Sequence, residues 1–284
     1  MNIMVTGGAG FIGTNLIKRL LKDGHNVVSL DNYSTGTEDN HQEGCKYVDA
    51  DIRDVIDFDY FMEDVDVVYH LAALARIQPS FKRPANTLEV GILGTMNILE
   101  WIKEKENKPR MVFAGSSSVH SGKFKNPYTF SKNVADDMCL MYKKHFGVDV
   151  SICRFYNVYG PHQLTEGEYC TVVGIFENQY ENKEPLTITG DGFQRRDFTH
   201  VDDIVDGLIL TSENETCWDE IELGRGENQS INELADMFNH ETKYIDERPG
   251  EARETLCDTQ IAERLIGYKP TRNIEDYIKE VIGE

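Results

Sequence analysis

The stretch Met4–Gly13 reads MVTGGAGFIG, and it decides the fold that we expect for this chain. A short apolar run leads into a group of glycines, and an amphipathic helix pattern begins at Phe11. The spacing is that of G-x-G-x-x-G starting at Gly8. Glycines allow the backbone to turn tightly and to bring the N–H groups of a helix N-terminus against a pyrophosphate. Because the motif lies between a strand signal and a helix signal, it predicts a dinucleotide site.

The first half of the chain alternates strand-like and helix-like segments, which is typical of βαβ units around a parallel sheet. We therefore predict an α/β fold: a Rossmann-type, doubly wound parallel sheet with a smaller, interleaved C-terminal substrate domain. The predicted strands are Asn2–Thr6, Asn26–Leu30, Cys45–Val48, Val65–His70, Arg110–Ala114 and Val150–Phe155, and the predicted helices are Phe11–Lys22, Pro84–Lys105 and Tyr128–Phe146. The cofactor domain should span residues 1–160, with a later return of the chain near 193–212, and residues 161–284 should form mainly the substrate domain.

Two local patterns give more detailed expectations. Leu88, Ile92, Met96 and Leu99 form a stripe with helical spacing, which predicts a buried face on the middle helix. Ser230-x-x-Glu233 predicts a capping box at the start of a late helix.

Composition limits the partners and the compartment. The 284 residues carry a formal net charge of −20, which disfavours nucleic acid and anionic membranes because both require a basic surface. We find no apolar stretch long enough to span a bilayer and no signal-peptide pattern, so we expect a cytoplasmic protein. The six cysteines are widely spaced and there is no zinc-binding pattern, so we predict neither a metal site nor disulfides.

Asp31 directly follows the second predicted strand, eighteen residues beyond Gly13. An acidic side chain at this place can hydrogen-bond the hydroxyls of an adenosine ribose. No Lys or Arg occurs from Asp31 through Cys45, so a 2′-phosphate would meet a carboxylate without a counter-charge. The predicted cofactor is therefore NAD and not NADP.

Further motifs follow in order along the chain: DADIRD at Asp49–Asp54, HLAA at His70–Ala73, YTFSK at Tyr128–Lys132, RFYNVYGP at Arg154–Pro161, PLTITGDGFQRRDFTHVDD at Pro185–Asp203 and RPGEAR at Arg248–Arg253. Together with the glycine loop they resemble the extended short-chain dehydrogenase/reductase family. Within that family the chain is most similar to the NAD-dependent nucleotide-sugar epimerase/dehydratase group, and especially to 4-epimerases of UDP-glucose and UDP-N-acetylglucosamine. The resemblance runs essentially from end to end.

The resemblance implies a cofactor site and a catalytic set. Tyr128 would take a proton from a sugar hydroxyl while NAD accepts hydride from the same carbon, and Lys132 would lower the pKa of Tyr128 and hold the nicotinamide ribose. Ser116 would hydrogen-bond the reacting oxygen. The implied cofactor-binding residues are Gly7, Gly10, Phe11, Ile12, Gly13, Asp31, Asn32, Asp51, Ile52, Leu71, Ala72, Ala73, Tyr128 and Lys132.

The two residues after Ser116 indicate which reaction is carried out. In the 4,6-dehydratases that the chain resembles, these positions are Asp and Glu, whereas here they are Ser117 and Ser118. A hydroxyl without a pKa near 7 cannot replace a carboxylate in eliminating water. Uronate decarboxylases usually keep Glu at the second position, so Ser118 argues against that reaction as well. We therefore predict epimerisation at C4 of a UDP-hexose; the alternatives are a dehydratase, decarboxylase or C4 reductase, or a non-catalytic NAD-binding regulatory protein.

The implied substrate site collects residues from the second half of the chain. Arg196 and Arg248 would hold the diphosphate, since guanidinium is a natural bidentate phosphate ligand. Thr255 lies where a bulky tyrosine restricts some epimerases, so acceptance of the N-acetylated sugars is also expected. The full set of implied substrate-binding residues is Ser116, Asn157, Val172, Arg196, Arg248, Glu251 and Thr255.

Four features depart from the pattern of the family. Only Ser121–Pro127 separates His120 from Tyr128, where the family usually has a loop of roughly twenty residues, so either the site is more open or another segment or subunit covers it. Gly91 replaces a frequent Asn, and Glu251 replaces the usual Asp. His120 stands in place of a tyrosine, and we predict a structural role for it.

The resemblance also implies a homodimer formed through the helices Pro84–Lys105 and Tyr128–Phe146.

Overall fold

The computed structural model describes residues 1–54 and 58–283, so Glu284, the last residue of the predicted substrate domain, lies outside the described residues. The strands are β1 Asn2–Thr6, β2 Asn26–Asp31, β3 Cys45–Asp49, β4 Val67–His70, β5 Arg110–Ser116, β6 Val150–Phe155, β7 Asn157–Tyr159, β8 Leu186–Thr189, β9 Arg195–Arg196, β10 Phe198–His200, β11 Glu220–Leu223, β12 Gln229–Ser230 and β13 Thr242–Ile245. The α-helices are α1 Phe11–Lys22, α2 Ile77–Lys82, α3 Pro84–Leu88, α4 Thr95–Lys103, α5 Pro127–Phe146, α6 Val172–Glu181, α7 Val201–Glu213, α8 Ile231–Met237, α9 Thr259–Ile266 and α10 Ile274–Ile282.

Seven strands form one parallel sheet in the order β11-β6-β5-β4-β1-β2-β3. The chain winds outward from β1 in one direction to β3 and then crosses over to β4 and continues in the other direction. This arrangement confirms the predicted Rossmann-type α/β fold. The crevice where the winding reverses lies at the carboxyl ends of β1 and β4, which is where ligands bind in open sheets of this kind.

Two apolar cores cover the two faces of this sheet. One contains Leu16 and Ile17 of α1 together with Ile204 and Leu208 of α7, and the other contains Ile98 and Leu99 of α4 with residues of α5. A third core joins α6, α8 and α10 around Phe176. The division of domains at residue 160 stays a prediction, although α7 and β11 show that the chain does return to the main sheet.

The strand boundaries differ slightly from those expected. β4 begins at Val67 and not at Val65, whereas β5 continues beyond Ala114 to Ser116. The predicted capping box is confirmed, because the Ser230 hydroxyl accepts from the Glu233 amide while the Glu233 carboxylate accepts from the Ser230 amide. Among the described helices, none has the length and apolarity needed to cross a bilayer.

The predicted helix Pro84–Lys105 is divided, and the predicted stripe was wrong in part. A π-helical segment, Glu89–Gly94, separates α3 from α4. Its wider turn changes the phase of the helix, so Met96 is exposed while Ile98, Leu99 and Ile102 are buried. The segment also brings Gly94 so close to Ile52 that a Cβ there would lie 2.4 Å from Ile52 Cδ1.

Candidate functional site

The glycine loop after β1 leaves room for a phosphate group. Gly7 has φ +73°, and a Cβ there would lie 2.8 Å from the amide nitrogen of Ala72, so only glycine fits this position. Gly10 is the N-cap residue of α1, and as a glycine it has no side chain to accept from the first N–H groups of the helix. The N–H groups of the first turn of α1 therefore remain available for an anion, which suits the pyrophosphate of a dinucleotide.

The acidic residue at the end of β2 is held by the backbone. The Asp31 carboxylate accepts from the amides of Ala9 and Tyr33, both at 2.9 Å. Burial raises its pKa, and these two hydrogen bonds oppose that effect. Asn32 beside it donates to Asp51 at 2.8 Å. This arrangement fixes one edge of the cavity where the adenosine ribose is expected.

All fourteen residues predicted to bind the cofactor line one cavity at the carboxyl edge of the sheet. Other lining residues were not predicted: Leu30, Ser34, Thr35, Ala50, Leu74, Ala75, Arg76, Val90, Ala114, Gly115, Phe155, Leu164 and Tyr169. Most of these follow strand ends, so the rule that ligands bind beyond the carboxyl ends of parallel strands could have indicated several of them.

Helix α5 presents Tyr128 and Lys132 one turn apart on its first two turns. Asn126 caps this helix by accepting from the Thr129 amide at 2.7 Å, and Pro127 occupies the first helical position. Lys132 is 5% exposed, and its Nζ donates to the Ala114 carbonyl at 2.7 Å. Burial lowers the pKa of Lys132 to about 8. The lysine is therefore fixed beneath the cavity by the backbone of β5.

The environment of Tyr128 differs from the one that we predicted. Burial raises the pKa of its phenol, and a hydrogen bond with Ser116 and the positive charge of Arg76 oppose this effect. The role of Lys132 in lowering this pKa stays a prediction; in the protein alone, Lys132 Nζ donates to the Ala114 carbonyl. Tyr128 is therefore a neutral phenol at pH 7 in the protein alone.

The seven predicted substrate-binding residues line a second cavity, between the main sheet and the elements of the second half. Tyr128 lines both cavities, so it stands where they meet. Arg196 is buried, and its Nη2 lies 3.5 Å from a carboxylate oxygen of Glu251. Asn157 donates to the Thr255 hydroxyl at 3.1 Å, which ties these two predicted residues to each other.

A segment from the second half of the chain contacts α2 and the residue that caps α5. Gln78 Nε2 donates to the Pro249 carbonyl at 2.9 Å, and Asn126 Nδ2 donates to the Gly250 carbonyl at 3.3 Å. A Cβ at Gly250, which has φ +80°, would lie 3.0 Å from the ring of Phe81. We call Arg248–Gly250 the strap. Whether the site is more open or is covered by another segment or subunit stays a prediction, and Arg248 of the strap lines the second cavity.

His120 and Gly91 lie beside the site. The His120 imidazole hydrogen-bonds Glu222, which raises the pKa of the histidine, and His120 is not among the lining residues of either cavity. Its predicted structural role is compatible with this position. A Cβ at Gly91 would lie 3.0 Å from the side chain of Ser131, so the glycine allows the π-helical segment to approach α5 next to Lys132.

An open parallel sheet with a glycine-rich first turn, and a Tyr-x-x-x-Lys helix beside it, is the arrangement of the extended short-chain dehydrogenase/reductase enzymes. This chain belongs to the NAD dependent epimerase/dehydratase family, whose sequence model matches residues 3–220. NAD is the cofactor of this family, and the cavity described above has the features that it requires.

Sequence relatives within the family differ in the activities for which they are named. A putative UDP-glucose 4-epimerase of Methanocaldococcus jannaschii is 33% identical over 303 residues, covering 99% of this chain and 97% of the relative. A UDP-glucuronic acid decarboxylase 1 of Xenopus tropicalis is 30% identical, covering 99% of this chain and 71% of the relative.

Solved structures agree closely in fold. The UDP-glucose 4-epimerase of Thermotoga maritima, determined with UDP-glucose, has a TM-score of 0.93 at 27% identity and covers 100% of this chain and 98% of its own. The UDP-glucuronic acid 4-epimerase of Bacillus cereus, in complex with UDP-glucuronic acid and NAD, has a TM-score of 0.90 at 28% identity, with the same coverage.

Proposed function

We propose that this protein is an NAD-dependent 4-epimerase of a UDP-hexose. Its reaction would oxidise the sugar at C4, turn the 4-keto sugar within the site and reduce it from the other face. NAD, when bound, supplies the acceptor and then the donor of the hydride. The net reaction inverts C4 and involves no net oxidation.

Three residues of the chain would have separate roles in this reaction. Tyr128 removes the proton of the C4 hydroxyl during oxidation and returns it during reduction. Ser116, which lies at the end of β5 and donates to the Ser118 hydroxyl at 3.0 Å in the protein alone, would hold the same oxygen. Lys132, fixed on Ala114, would orient the nicotinamide ribose and add positive charge near the phenol.

The observation that carries the proposal is that, within residues 1–54 and 58–283, every carboxylate that lines the cavity beside Ser116 is paired. Ser117 and Ser118 line the second cavity, and the carboxylates among its described lining residues are Glu168 and Glu251. Glu168 pairs with Lys82 and Arg83, and Glu251 pairs with Arg196. Eliminating water across C5 and C6 requires an acid and a base with a suitable pKa, so the site suits epimerisation better than dehydration.

The diphosphate end of the substrate would lie at Arg196 and Arg248. Both line the second cavity, which Lys132 does not line. Asn157, Val172, Glu251 and Thr255 would complete this end. We infer that UDP is the nucleotide because the relatives and neighbours above are named for UDP-sugars.

Product analysis tests the proposal. The NAD-loaded protein is incubated with UDP-glucose, UDP-N-acetylglucosamine and UDP-glucuronate in turn, and the products are resolved by chromatography and NMR. Appearance of the C4 epimer of at least one of them is the expected result. A 4-keto-6-deoxy sugar, a pentose or net consumption of NADH would instead identify a dehydratase, a decarboxylase or a reductase, and each would overturn the proposal.

A further inference from the structure

Arg76 occupies a position in the site that the sequence did not indicate. It lies in the segment between β4 and α2 and lines both the cofactor cavity and the substrate cavity, as Tyr128 does. Its Nε donates to the Cys170 carbonyl at 3.2 Å and its Nη1 to the Ala75 carbonyl at 2.7 Å. These two bonds fix the guanidinium beside Tyr128 and leave Nη2 for another acceptor.

The charge of Arg76 is not balanced by the protein. In the described ranges, 1–54 and 58–283, no carboxylate forms an ion pair with this side chain. Arg76 is half-buried, and the two buried arginines differ from it: Arg154 contacts Asp136 and Glu220, and Arg196 contacts Glu251. Burial lowers the pKa of Arg76, and the groups that oppose this effect are Tyr128 and Cys170, both of which are ordinarily neutral.

An unpaired guanidinium in a partly buried cleft costs free energy unless an anion compensates for it. The chain has 49 acidic residues, yet in the described part of the chain none of them forms an ion pair with Arg76. The carbonyls of Cys170 and Ala75 accept from two of the five N–H groups of the guanidinium, so the other three could donate to oxygens of a ligand.

We propose that Arg76 binds a carboxylate on the sugar of the substrate, at C6, so that the preferred substrate is a UDP-hexuronate. This inference rests on the proposed 4-epimerase function, because it needs C4 of the sugar at Tyr128. In a hexopyranose, the carbons next to C4 are C3 and C5, and C5 carries C6. A carboxylate at C6 therefore lies within reach of a cation beside Tyr128. Arg196 and Arg248 remain for the diphosphate.

Turnover of a matched pair of substrates tests this role. UDP-glucuronate and UDP-glucose differ only at C6, and kcat/KM is measured for both with the wild-type protein, Arg76→Gln and Arg76→Lys. A charge-assisted hydrogen bond predicts that Arg76→Gln loses about 10- to 100-fold more for UDP-glucuronate than for UDP-glucose, and that Arg76→Lys restores part of the difference. Arg264→Gln removes the same charge from the exposed surface of α9 and should leave both values unchanged.

Binding measurements separate this inference from the proposed function. In a Tyr128→Phe background, calorimetry gives the affinities for UDP-glucuronate, UDP-glucose and UDP without turnover. Tighter binding of the hexuronate, lost selectively on adding Arg76→Gln while UDP affinity is kept, supports the inference even if the wild-type protein epimerises neither sugar. Equal losses for both sugars, or a loss of NAD affinity with the ratio of the two sugars unchanged, would overturn it, and the second result would assign Arg76 to a cofactor phosphate.

Discussion

At the scale of single residues, Tyr128 shows how this site depends on its ligands. Burial favours the neutral phenol, and the groups that oppose this effect are Ser116 and Arg76. The positive ring of oxidised NAD would add to them. We therefore expect Tyr128 to act as a base only when NAD is bound, and to keep its proton when the cofactor is absent.

Removing the Tyr128 hydroxyl should remove activity without removing the cofactor. We expect Tyr128→Phe to lower kcat by at least about 10²- to 10⁴-fold, the usual contribution of a positioned acid–base group, while NAD remains bound as measured by fluorescence. Tyr142→Phe removes a hydroxyl from the same helix and should retain activity. The Tyr142 hydroxyl donates to Glu100, and Tyr142 lines neither of the two cavities. Normal turnover by Tyr128→Phe would exclude Tyr128 from the mechanism.

His70 forms the centre of a buried polar chain beneath the cofactor cavity. Its Nδ1 lies 2.6 Å from the Thr6 hydroxyl and its Nε2 lies 3.1 Å from the Thr95 hydroxyl. Thr6 Oγ1 accepts from the Ala72 amide, and Thr95 Oγ1 donates to the Gly91 carbonyl at 2.8 Å. The chain therefore connects the HLAA turn to the π-helical segment, and it requires a neutral imidazole.

The neutral His70 should make the protein sensitive to acid. Burial lowers its pKa to about 3, whereas the unfolded chain titrates near pH 6.5. As pH falls from 6.5 towards 3, the unfolded state takes up a proton that the folded state does not, so the free energy of unfolding decreases. Between pH 7.5 and 5.5 this single group should cost about 1.4 kcal/mol.

Urea unfolding at both pH values measures this cost. His70→Gln has no titrating group, so its stability should change between pH 7.5 and 5.5 by about 1.4 kcal/mol less than that of the wild type. His145→Gln removes an exposed histidine of α5 and should follow the wild type. An equal pH dependence of the wild type and His70→Gln would show that His70 is not the neutral group described here.

At the scale of secondary-structure elements, Asn126 links two segments that are far apart in sequence. Its side-chain oxygen accepts from the Thr129 amide and caps α5, while its side-chain nitrogen donates to Gly250 in the strap. The same side chain thus connects the helix that carries Tyr128 to the segment that carries Arg248. A substitution at Asn126 can therefore remove the hydrogen bond to the strap while the hydrogen bond that caps α5 is kept.

Asn126→Asp keeps the cap and loses the donor to Gly250, and it also places a negative charge against that carbonyl. We expect a rise of about three- to tenfold in KM for the UDP-sugar, from loss of about one hydrogen bond, with little change in Tm. Asn126→Ala loses both bonds and should in addition lower stability by about 1 kcal/mol. An unchanged KM in both variants would show that the strap does not depend on Asn126.

At the scale of the whole molecule, exposed apolar side chains occur on the helical layer of α4 and α5. They include Leu93, Met96, Leu140 and Met141, which are 37–45% exposed. The two helices also pack against each other. We propose that this layer forms the interface of a homodimer. Because each chain carries a net charge of −20, association should strengthen with added salt, which screens the repulsion between subunits.

Met141→Glu should disrupt such a dimer by placing a charge in an apolar interface. Light scattering coupled to size exclusion should give the mass of a dimer for the wild type and of a monomer, near 32.4 kDa, for the variant. Ile261→Glu makes the same change at an exposed position of α9 and should remain dimeric. A monomeric wild type at micromolar concentration would refute the proposed interface.

The sequence by itself determined the parallel sheet, the family and fourteen of the residues that line the cofactor cavity. These features depend on local signals: the glycine loop between β1 and α1, Asp31 at a strand end, and Tyr128 and Lys132 one helical turn apart. In a parallel sheet all carboxyl ends lie at one edge, so residues that follow separate strands are brought together once the order of strands is known.

Only the tertiary structure decided the features that arise from contacts between distant segments. The guanidinium of Arg76 is fixed by Cys170, and the strap is fixed by Gln78 and Asn126; no sequence pattern relates these positions. The π-helical segment likewise depends on the close approach of Gly94 to Ile52. The physical reason is that packing and charge compensation are properties of neighbours in space, whereas periodicity and motif spacing report only on neighbours along the chain.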